Sequence, residues 1–362
     1  MKLIDRYIIK ELLTPFLSGI LAFTIILLGS TVLFDLIGNA VKYSIPFTTV
    51  LLIIILKLPF VIGIAIPMST LFATITVFGR LANDLEILAL RSTGISIVRL
   101  LIPVFFVGLF ISLASLWFSD VLIPKSSTIA QNLRLSYKHN KKPNIQSNIN
   151  ITEYKNNLPY RIINIAEKEG VKFKNITIAE YNKGNLERLI RSKTGQWLES
   201  GGWIFFDGIM HVFETTNQNK ISIIKFKKEF INIDINPINL ENRNKSTEEM
   251  NQEELKEKIN FLSKTGKDPI KLIMDLHTKN AIAFSSLIYC FLGALMGLKP
   301  HRSSSTMGIG LSLIIIFTYI ILMAIGTGLG LSKTLPPIVA AWFPNIIIGS
   351  ISIILVKKIA TN

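Results

Sequence analysis

The chain has 362 residues, 49% of them hydrophobic, and a formal net charge of +15. Its apolar residues collect in charge-free runs long enough to cross a bilayer, which takes about 20 residues, so an ordinary soluble domain with one core is excluded. The basic residues are mixed with acids and isoleucines in a central segment, and no nucleic-acid-binding motif accompanies them. The single cysteine, Cys290, excludes an intrachain disulfide.

The N-terminal third of the chain contains three predicted membrane spans. Residues 1–11 place three basic residues around apolar ones, which favours a short helix at the membrane surface. The spans follow at residues 12–34, 47–78 and 100–119. Polar residues between Asp35 and Pro46 predict a turn between the first two spans.

A polar-apolar segment, GRLANDLEILALRSTGIS at residues 79–96, separates the second and third spans. Residues 80–93 are predicted as one helix with two different sides. One side holds Leu81, Ala82, Leu85, Leu88 and Ala89, and the other holds Asn83, Glu86, Ile87 and Leu90. The first side suits a membrane surface. The second sets bulky apolar residues beside an acid, which indicates a covering partner; a surface connector with a solvated charged face is the alternative.

The central segment, residues 124–268, has the composition of a β domain. Runs of β-branched and aromatic residues alternate with Asn, Gly and Lys turns. The runs are INITEY, YRIINIAE, VKFKNITIAEY, LERLIRS, GWIFFDGIMHVFE and ISIIKFK. Six or more strands at this spacing predict an antiparallel sandwich, a jelly roll or a related sheet. A helical pattern at residues 242–265 ends the segment.

Three more spans, at residues 281–298, 307–331 and 335–356, close the chain. The predicted fold class is therefore a membrane α-helical protein with six transmembrane helices, three before and three after an inserted all-β domain. Its predicted domains are residues 1–123, 124–268 and 269–362. Basic residues in the short flanks gather on one side of the spans, which places both termini in the cytoplasm and exports the β domain.

Few residues are candidates for a catalytic, metal or binding site. The sequence has no phosphate loop, no His or Cys cluster with metal-ligand spacing and no pair of acids inside a span, so neither a catalytic nor a metal site is predicted. GTGLG at Gly326 is interpreted as a helix-packing feature, since no strand precedes it. Lys57 lies about ten residues into a span, where a cation is costly unless it snorkels or meets an anion. Snorkelling and contact with an acidic lipid headgroup both remain open for it.

Three stretches together resemble the LptF/LptG (YjgP/YjgQ) permease family of lipopolysaccharide export. They are RLANDLEILALRSTGIS, LHTKNAIAFSSLIYCFLGALMG at the beginning of the fourth span, and LPPIVAAWFPNIIIG at the beginning of the sixth. The resemblance covers essentially the whole chain. It implies a permease subunit of an ABC transporter in the bacterial inner membrane, which takes lipopolysaccharide from the outer leaflet and passes it through a jelly-roll-like periplasmic domain to a periplasmic jelly-roll bridge protein.

The same resemblance implies how the permease is driven. Residues 80–93 become a coupling helix, and Glu86 takes the place of the carboxylate that docks in a groove of a cytoplasmic ATPase dimer. Ile87, Leu90 and Arg91 complete this predicted contact. ATP is used by the ATPase, so no cofactor is expected in this chain. A second LptF/LptG-like subunit, or a second copy of this chain, is the expected partner within the membrane.

The resemblance also implies a lipid headgroup contact, assigned to Lys57 and Lys42. Family members often carry basic residues late in the first span, whereas this chain has Phe34, Asp35 and Leu36 there. Lys57 lies near the position where some members carry a basic residue in the second span.

Two other functions are considered. A membrane scaffold would recruit envelope proteins through the β domain without transport, but it has no reason to present an apolar and acidic face to the cytoplasm. A proton-driven carrier needs ionisable groups at mid-membrane, and the spans offer none beyond Lys57.

Overall fold

The computed structural model describes residues 3–43, 45–139, 145–155, 158–169, 172–182, 185–197, 202–213, 221–231, 245–264, 268–298 and 306–361. The chain divides into two compact units. The helical unit comprises Met1–Leu133, Thr247–Asn251 and Ile270–Asn362, and the sheet unit comprises Arg134–Ser246 and Gln252–Pro269. The sequence-based domain division instead placed its first boundary after residue 123 and assigned residues 247–251 to the β domain.

The helical unit contains six helical stretches that are long and apolar enough to cross a membrane. This confirms the six predicted spans. Its helices are α1 (Leu3–Leu27), α2 (Phe34–Tyr43), α3 (Phe47–Asn83), α4 (Glu86–Ser92), α5 (Ile97–Trp117), α6 (Ile123–His139), α8 (Ile270–Gly297), α9 (Thr306–Leu331) and α10 (Pro337–Thr361); residues 134–139 of α6 are assigned to the sheet unit. The π-helical segments Leu28–Leu33 and Phe118–Leu122 join α1 to α2 and α5 to α6.

Two of these helical stretches extend beyond their predicted ends. The polar residues after position 34, predicted as a turn, form α2, with Asp35 in its first turn. The third span, predicted to end near residue 119, continues through a π segment into α6. Pro124 is the second residue of α6. The helix continues through this proline directly after the π-helical segment.

Helix α8 packs closely against α3 through two glycines spaced four apart. A Cβ on Gly293 would collide with the hydroxyl of Thr74, and one on Gly297 would lie 2.8 Å from Phe78 Cβ. The small residues of this GxxxG pair therefore let the two helices approach closely. Asn345 connects α10 to its neighbours, because its Nδ2 donates to the carbonyl of Ala281 at 2.7 Å and its Oδ1 accepts from Tyr319 at 3.1 Å.

The sheet unit holds six antiparallel strands, which confirms the six predicted strand segments. They are β1 (Ile145–Lys155), β2 (Leu158–Glu169), β3 (Lys172–Asn182), β4 (Asn185–Trp197), β5 (Trp203–Phe213) and β6 (Ile221–Ile231). Each strand pairs with the next one along the chain, so the described strands form one sheet in the order β1-β2-β3-β4-β5-β6. Among the sheet types that the sequence left open, this order is a meander.

Helix α7 (Gln252–Lys264) packs against one face of the sheet through Phe261 and Leu262. Alternate residues of the strands are buried on this face, including Ile165 and Ile178, and Phe261 of α7 lies in the same cluster. The helix predicted at residues 242–265 therefore begins at Gln252 in the structure, and residues 242–244 lie outside the described residues.

A charged ladder crosses three strands of the same sheet. Glu180 of β3 is buried and pairs with Arg161 of β2 at 2.7 Å and with Arg188 of β4 at 2.9 Å. Both arginines lie opposite Glu180 in the strand register. The buried carboxylate is therefore compensated by two guanidinium groups.

Candidate functional site

The segment predicted as one helix, residues 80–93, is broken in the structure. Helix α3 continues to Asn83, and the backbone N–H of Asp84 donates to the carbonyl of Arg80 at 2.8 Å. Leu85 then adopts a left-handed conformation with φ 59°, which is uncommon for a bulky side chain. Helix α4 starts immediately after this turn. Helix α4 is therefore a separate helix and does not continue α3.

The turn at Leu85 decides which side chains of α4 face the protein. Ile87 is only 7% exposed and packs with residues of α1, α3, α5 and α8, and Leu90 packs against the same cluster. Leu88 is 60% exposed and Leu85 is 61% exposed. Ile87 and Leu90 were predicted to face a partner. In the structure both pack inward, and Leu88, which was predicted to lie on the membrane side, is the exposed leucine of α4.

Glu86 is partly exposed at the first position of α4, and its carboxylate is held from α1. The hydroxyl of Tyr7 donates to Glu86 Oε2 at 2.8 Å. An ionised carboxylate accepts several hydrogen bonds, so this contact orients Glu86 and leaves it capacity for a donor from another protein. Arg91, near the other end of α4, is exposed.

Three polar contacts join α1 to the segment around α4. They are Asp5–Arg99 at 2.8 Å, Tyr7–Glu86 at 2.8 Å and Glu11–Arg80. Between them, Ile8 and Leu12 of α1 are buried in the cluster that also contains Ile87. These contacts were not predicted from the sequence. The only available signal was a pair of acids and a tyrosine within the basic N-terminal stretch.

Lys57 of α3 meets a protein anion. Its Nζ lies 2.9 Å from Glu248 Oε2, and 5.5 Å from the centre of the Phe60 ring. The side chain is partly buried. Neither the snorkelling interpretation nor the lipid-headgroup interpretation anticipated Glu248, which is 191 positions away in the sequence. An opposite charge at this distance offsets the cost of placing a cation within a span.

Glu248 belongs to Thr247–Asn251. This short stretch is part of the helical unit, although the residues before and after it in the chain belong to the sheet unit. The Thr247 hydroxyl donates to Asp275 Oδ2 at 2.7 Å, and Lys279 Nζ donates to the carbonyl of Met250, also at 2.7 Å. Met250 is fully buried. These contacts with α8 place the Glu248 carboxylate beside Lys57.

The remaining predicted site residue, Lys42, lies in α2, and its side chain is outside the described residues. Across the described ranges, no group of three or more His, Cys, Asp or Glu side chains is arranged to hold a metal ion.

A comparison with protein families matches residues 6–358 to the family described as lipopolysaccharide export system permease LptF/LptG. The matched range contains all the strands and both candidate sites, the one around Glu86 and the one around Lys57. A comparison with curated proteins gives no significant match.

Proposed function

Because the chain belongs to the lipopolysaccharide export system permease LptF/LptG family, we propose that it extracts lipopolysaccharide from the inner membrane and passes it through its sheet unit towards the outer membrane. The family and the six apolar helices make it a multi-pass inner-membrane permease. The observation that carries the finer proposal is the family match, because it spans nearly the whole chain and includes the segment around α4.

The work of extraction comes from a separate cytoplasmic ATPase dimer, which binds α4. Support comes from the surface that α4 leaves open. Glu86 is oriented by Tyr7, Leu85 directly before it is exposed, and Leu88 is a second exposed leucine of the same segment. An acid next to exposed apolar side chains is the composition of a small docking surface. Ile87 and Leu90 support this surface from inside, and Arg91 extends its charged part.

In this proposal both termini and α4 face the cytoplasm, and the sheet unit is periplasmic. Basic residues near the ends of the spans support this orientation. Arg80, Arg91, Arg99, Lys357 and Lys358 all flank span ends that would lie on the cytoplasmic side. The positive-inside rule counts such short flanks and not the basic residues of a long exported domain.

The permease works with further partners: a second LptF/LptG-like subunit or a second copy of this chain, and a periplasmic bridge protein of jelly-roll fold. The described sheet has β1 and β6 at its two edges. An edge strand offers unpaired backbone groups to which another strand can add. An edge of this sheet therefore supplies the surface to which the bridge protein binds, so that the lipid passes from the sheet unit to the bridge protein.

Lys57 contacts the phosphate of the lipid headgroup, with Lys42 as a second basic residue on the same membrane face. Because Lys57 is paired with Glu248 in the structure, binding a phosphate means exchanging one anion for another. Such an exchange costs less than exposing an unpaired lysine inside a span.

Reconstitution tests the transport proposal. Proteoliposomes would contain the chain, its membrane partner, its ATPase and lipopolysaccharide, with soluble bridge protein outside. The expected result is transfer of lipopolysaccharide to the bridge protein only when ATP is present. Binding of the bridge protein without ATP-dependent transfer would instead identify a scaffold that recruits envelope proteins.

The role of Glu86 is tested by Glu86→Lys. We expect the amount of co-purifying ATPase to fall about tenfold or more, because reversing a buried charge contact costs at least 2 kcal/mol or so. The amount of protein in the membrane fraction should not change. Glu253→Lys is the matched control, since it reverses an exposed acid on α7. Equal ATPase retention in both variants would contradict the coupling role.

A further inference from the structure

The helical unit contains an apolar crevice of about 370 Å³ between α1, α3 and α5, closed on its inner side by α8. Leu13 and Phe16 line it from α1, and Phe106 and Phe110 line it from α5. Leu13, Phe106 and Phe110 are also strongly exposed, so the crevice opens on the outer surface of the unit. All four helices are candidate spans. The opening therefore faces the lipid bilayer.

The crevice presents almost no polar group. Its lining includes two threonines of α3, and both hydroxyls are satisfied within that helix. Thr70 donates to the carbonyl of Ile66 at 2.7 Å, and Thr74 donates to the carbonyl of Thr70 at 2.9 Å. Its occupant must therefore be apolar along the length that enters, because a polar group would lose its hydrogen bonds there.

The size of the crevice separates two apolar occupants. A transmembrane helix about 10 Å across occupies roughly 400 Å³ for every turn. A crevice of about 370 Å³ has no room for the full cross-section of a helix over several turns, so a second subunit would enter it only with side chains. A single hydrocarbon chain is thinner and flexible. The shape and chemistry therefore select the acyl chain of a lipid.

Basic side chains lie at one end of this crevice. Arg6 and Lys10 are exposed on α1. Arg6 precedes Leu13 by seven positions, so it shares the helix face that lines the crevice, and Lys10 lies at the edge of that face, three positions before Leu13. The acids of the same stretch, Asp5 and Glu11, are engaged with arginines of α5 and α3. This end of the crevice is therefore electropositive.

From this combination we infer that the crevice binds a phospholipid with an anionic headgroup, whose acyl chain enters between α1, α3 and α5 and whose phosphate lies against Arg6 and Lys10. The site is separate from Lys57, which lies nearer the opposite end of α3. Under the proposed orientation it lies in the cytoplasmic leaflet, so its ligand is a resident phospholipid and the exported glycolipid is excluded. A lipid held here would contact α1, which also holds Glu86 through Tyr7.

Photocrosslinking tests the site directly. The full chain would be placed in nanodiscs with phosphatidylglycerol that carries a diazirine in one acyl chain, and the labelled peptides would be identified by mass spectrometry. We expect labelling at the crevice-lining parts of α1 and α5 to exceed labelling at Ile314 and Phe317, which are exposed on α9. Equal labelling at both places would mean bulk lipid only and would overturn the inference.

A matched pair of substitutions tests entry of the chain. Leu13→Trp fills the mouth of the crevice, whereas Leu17→Trp enlarges a similarly exposed leucine one turn further along α1, outside the lining; the two leucines are 57% and 53% exposed. Labelling of the α5 peptides should fall with Leu13→Trp and stay at the wild-type level with Leu17→Trp. The same labelling in both variants would refute occupation of the crevice.

The headgroup preference is tested by competing the probe with unlabelled phosphatidylglycerol, phosphatidylcholine or lipopolysaccharide. Phosphatidylglycerol should compete best, and the Arg6→Gln, Lys10→Gln double variant should reduce its advantage over phosphatidylcholine about fivefold or more, the factor expected for one basic residue near an anionic lipid. Best competition by lipopolysaccharide, or no preference, would overturn the phospholipid assignment. Neither outcome depends on ATP or transport, so failure here leaves the proposed function standing.

Discussion

At the scale of single residues, Ile87 and Leu88 are neighbours in α4 with opposite surroundings. Ile87 is buried in the cluster beneath α4, and Leu88 is exposed. The buried residue holds the segment in place and the exposed one is available to a partner. Their substitution should therefore separate stability from binding.

Ile87→Ala is expected to lower the free energy of unfolding of the helical unit by about 2–5 kcal/mol, because it leaves a cavity in a packed cluster. Leu88→Ala should leave stability unchanged and weaken retention of the ATPase. Thermal unfolding in detergent and co-purification measure the two effects, with Leu113→Ala, an exposed residue of α5, as the control. A large stability loss in Leu88→Ala would contradict this division.

Lys57 and Glu248 form an ion pair that should compete with a lipid phosphate. Glu248→Gln removes the internal anion, so crosslinking of an anionic glycolipid to α3 is expected to rise. Lys57→Leu should lower it, and Lys57→Glu should lower it further by repulsion. Glu253→Gln on α7 serves as the control for a neutralised exposed acid. If glycolipid crosslinking were the same in every variant, the pair would serve only to hold residues 247–251.

At the scale of helices, the glycines of α9 differ in what surrounds them. A Cβ on Gly326 would collide with the backbone carbonyl of Ala340 in α10, whereas one on Gly328 would meet nothing within 4 Å. Gly326→Ala should therefore destabilise the helical unit by about 1–3 kcal/mol through overpacking, and Gly328→Ala should not destabilise it. The measurement is the midpoint of thermal unfolding in detergent. Equal midpoints would show that α9 and α10 adjust their spacing at no cost.

Most elements of the fold could be predicted from the sequence, but not which side chains of α4 are buried. Spans and strands are encoded in composition over many residues, so the six spans and six strands were predictable. The facing of α4 depends on one left-handed residue, Leu85, which ordinary propensity disfavours. The contact of Lys57 with an anion could not be predicted for another reason. Glu248 is far away in the sequence, and no local pattern connects the two.

At the scale of the whole molecule, the proposed orientation is open to labelling. The single cysteine, Cys290, is buried, so Cys290→Ala provides a background without thiols. Ser92→Cys, at the end of α4, should react with an impermeant maleimide only after the inner membrane is lysed. Ser222→Cys, exposed on β6, should react once the outer membrane is permeabilised. The reverse pattern would invert the orientation and remove α4 from any cytoplasmic ATPase.

Helix α3 has a length that matters for the whole molecule. Its 37 residues form one helix despite two internal prolines, which makes it about 55 Å long at 1.5 Å per residue. The hydrocarbon layer is only about 30 Å thick, so α3 projects well beyond it. A tilt of about 10° around its middle would swing each tip by roughly 5 Å in opposite directions. A sideways displacement of α3 near Asn83 would thus also displace Lys57, by a smaller distance. Lys57 is paired with Glu248 of residues 247–251.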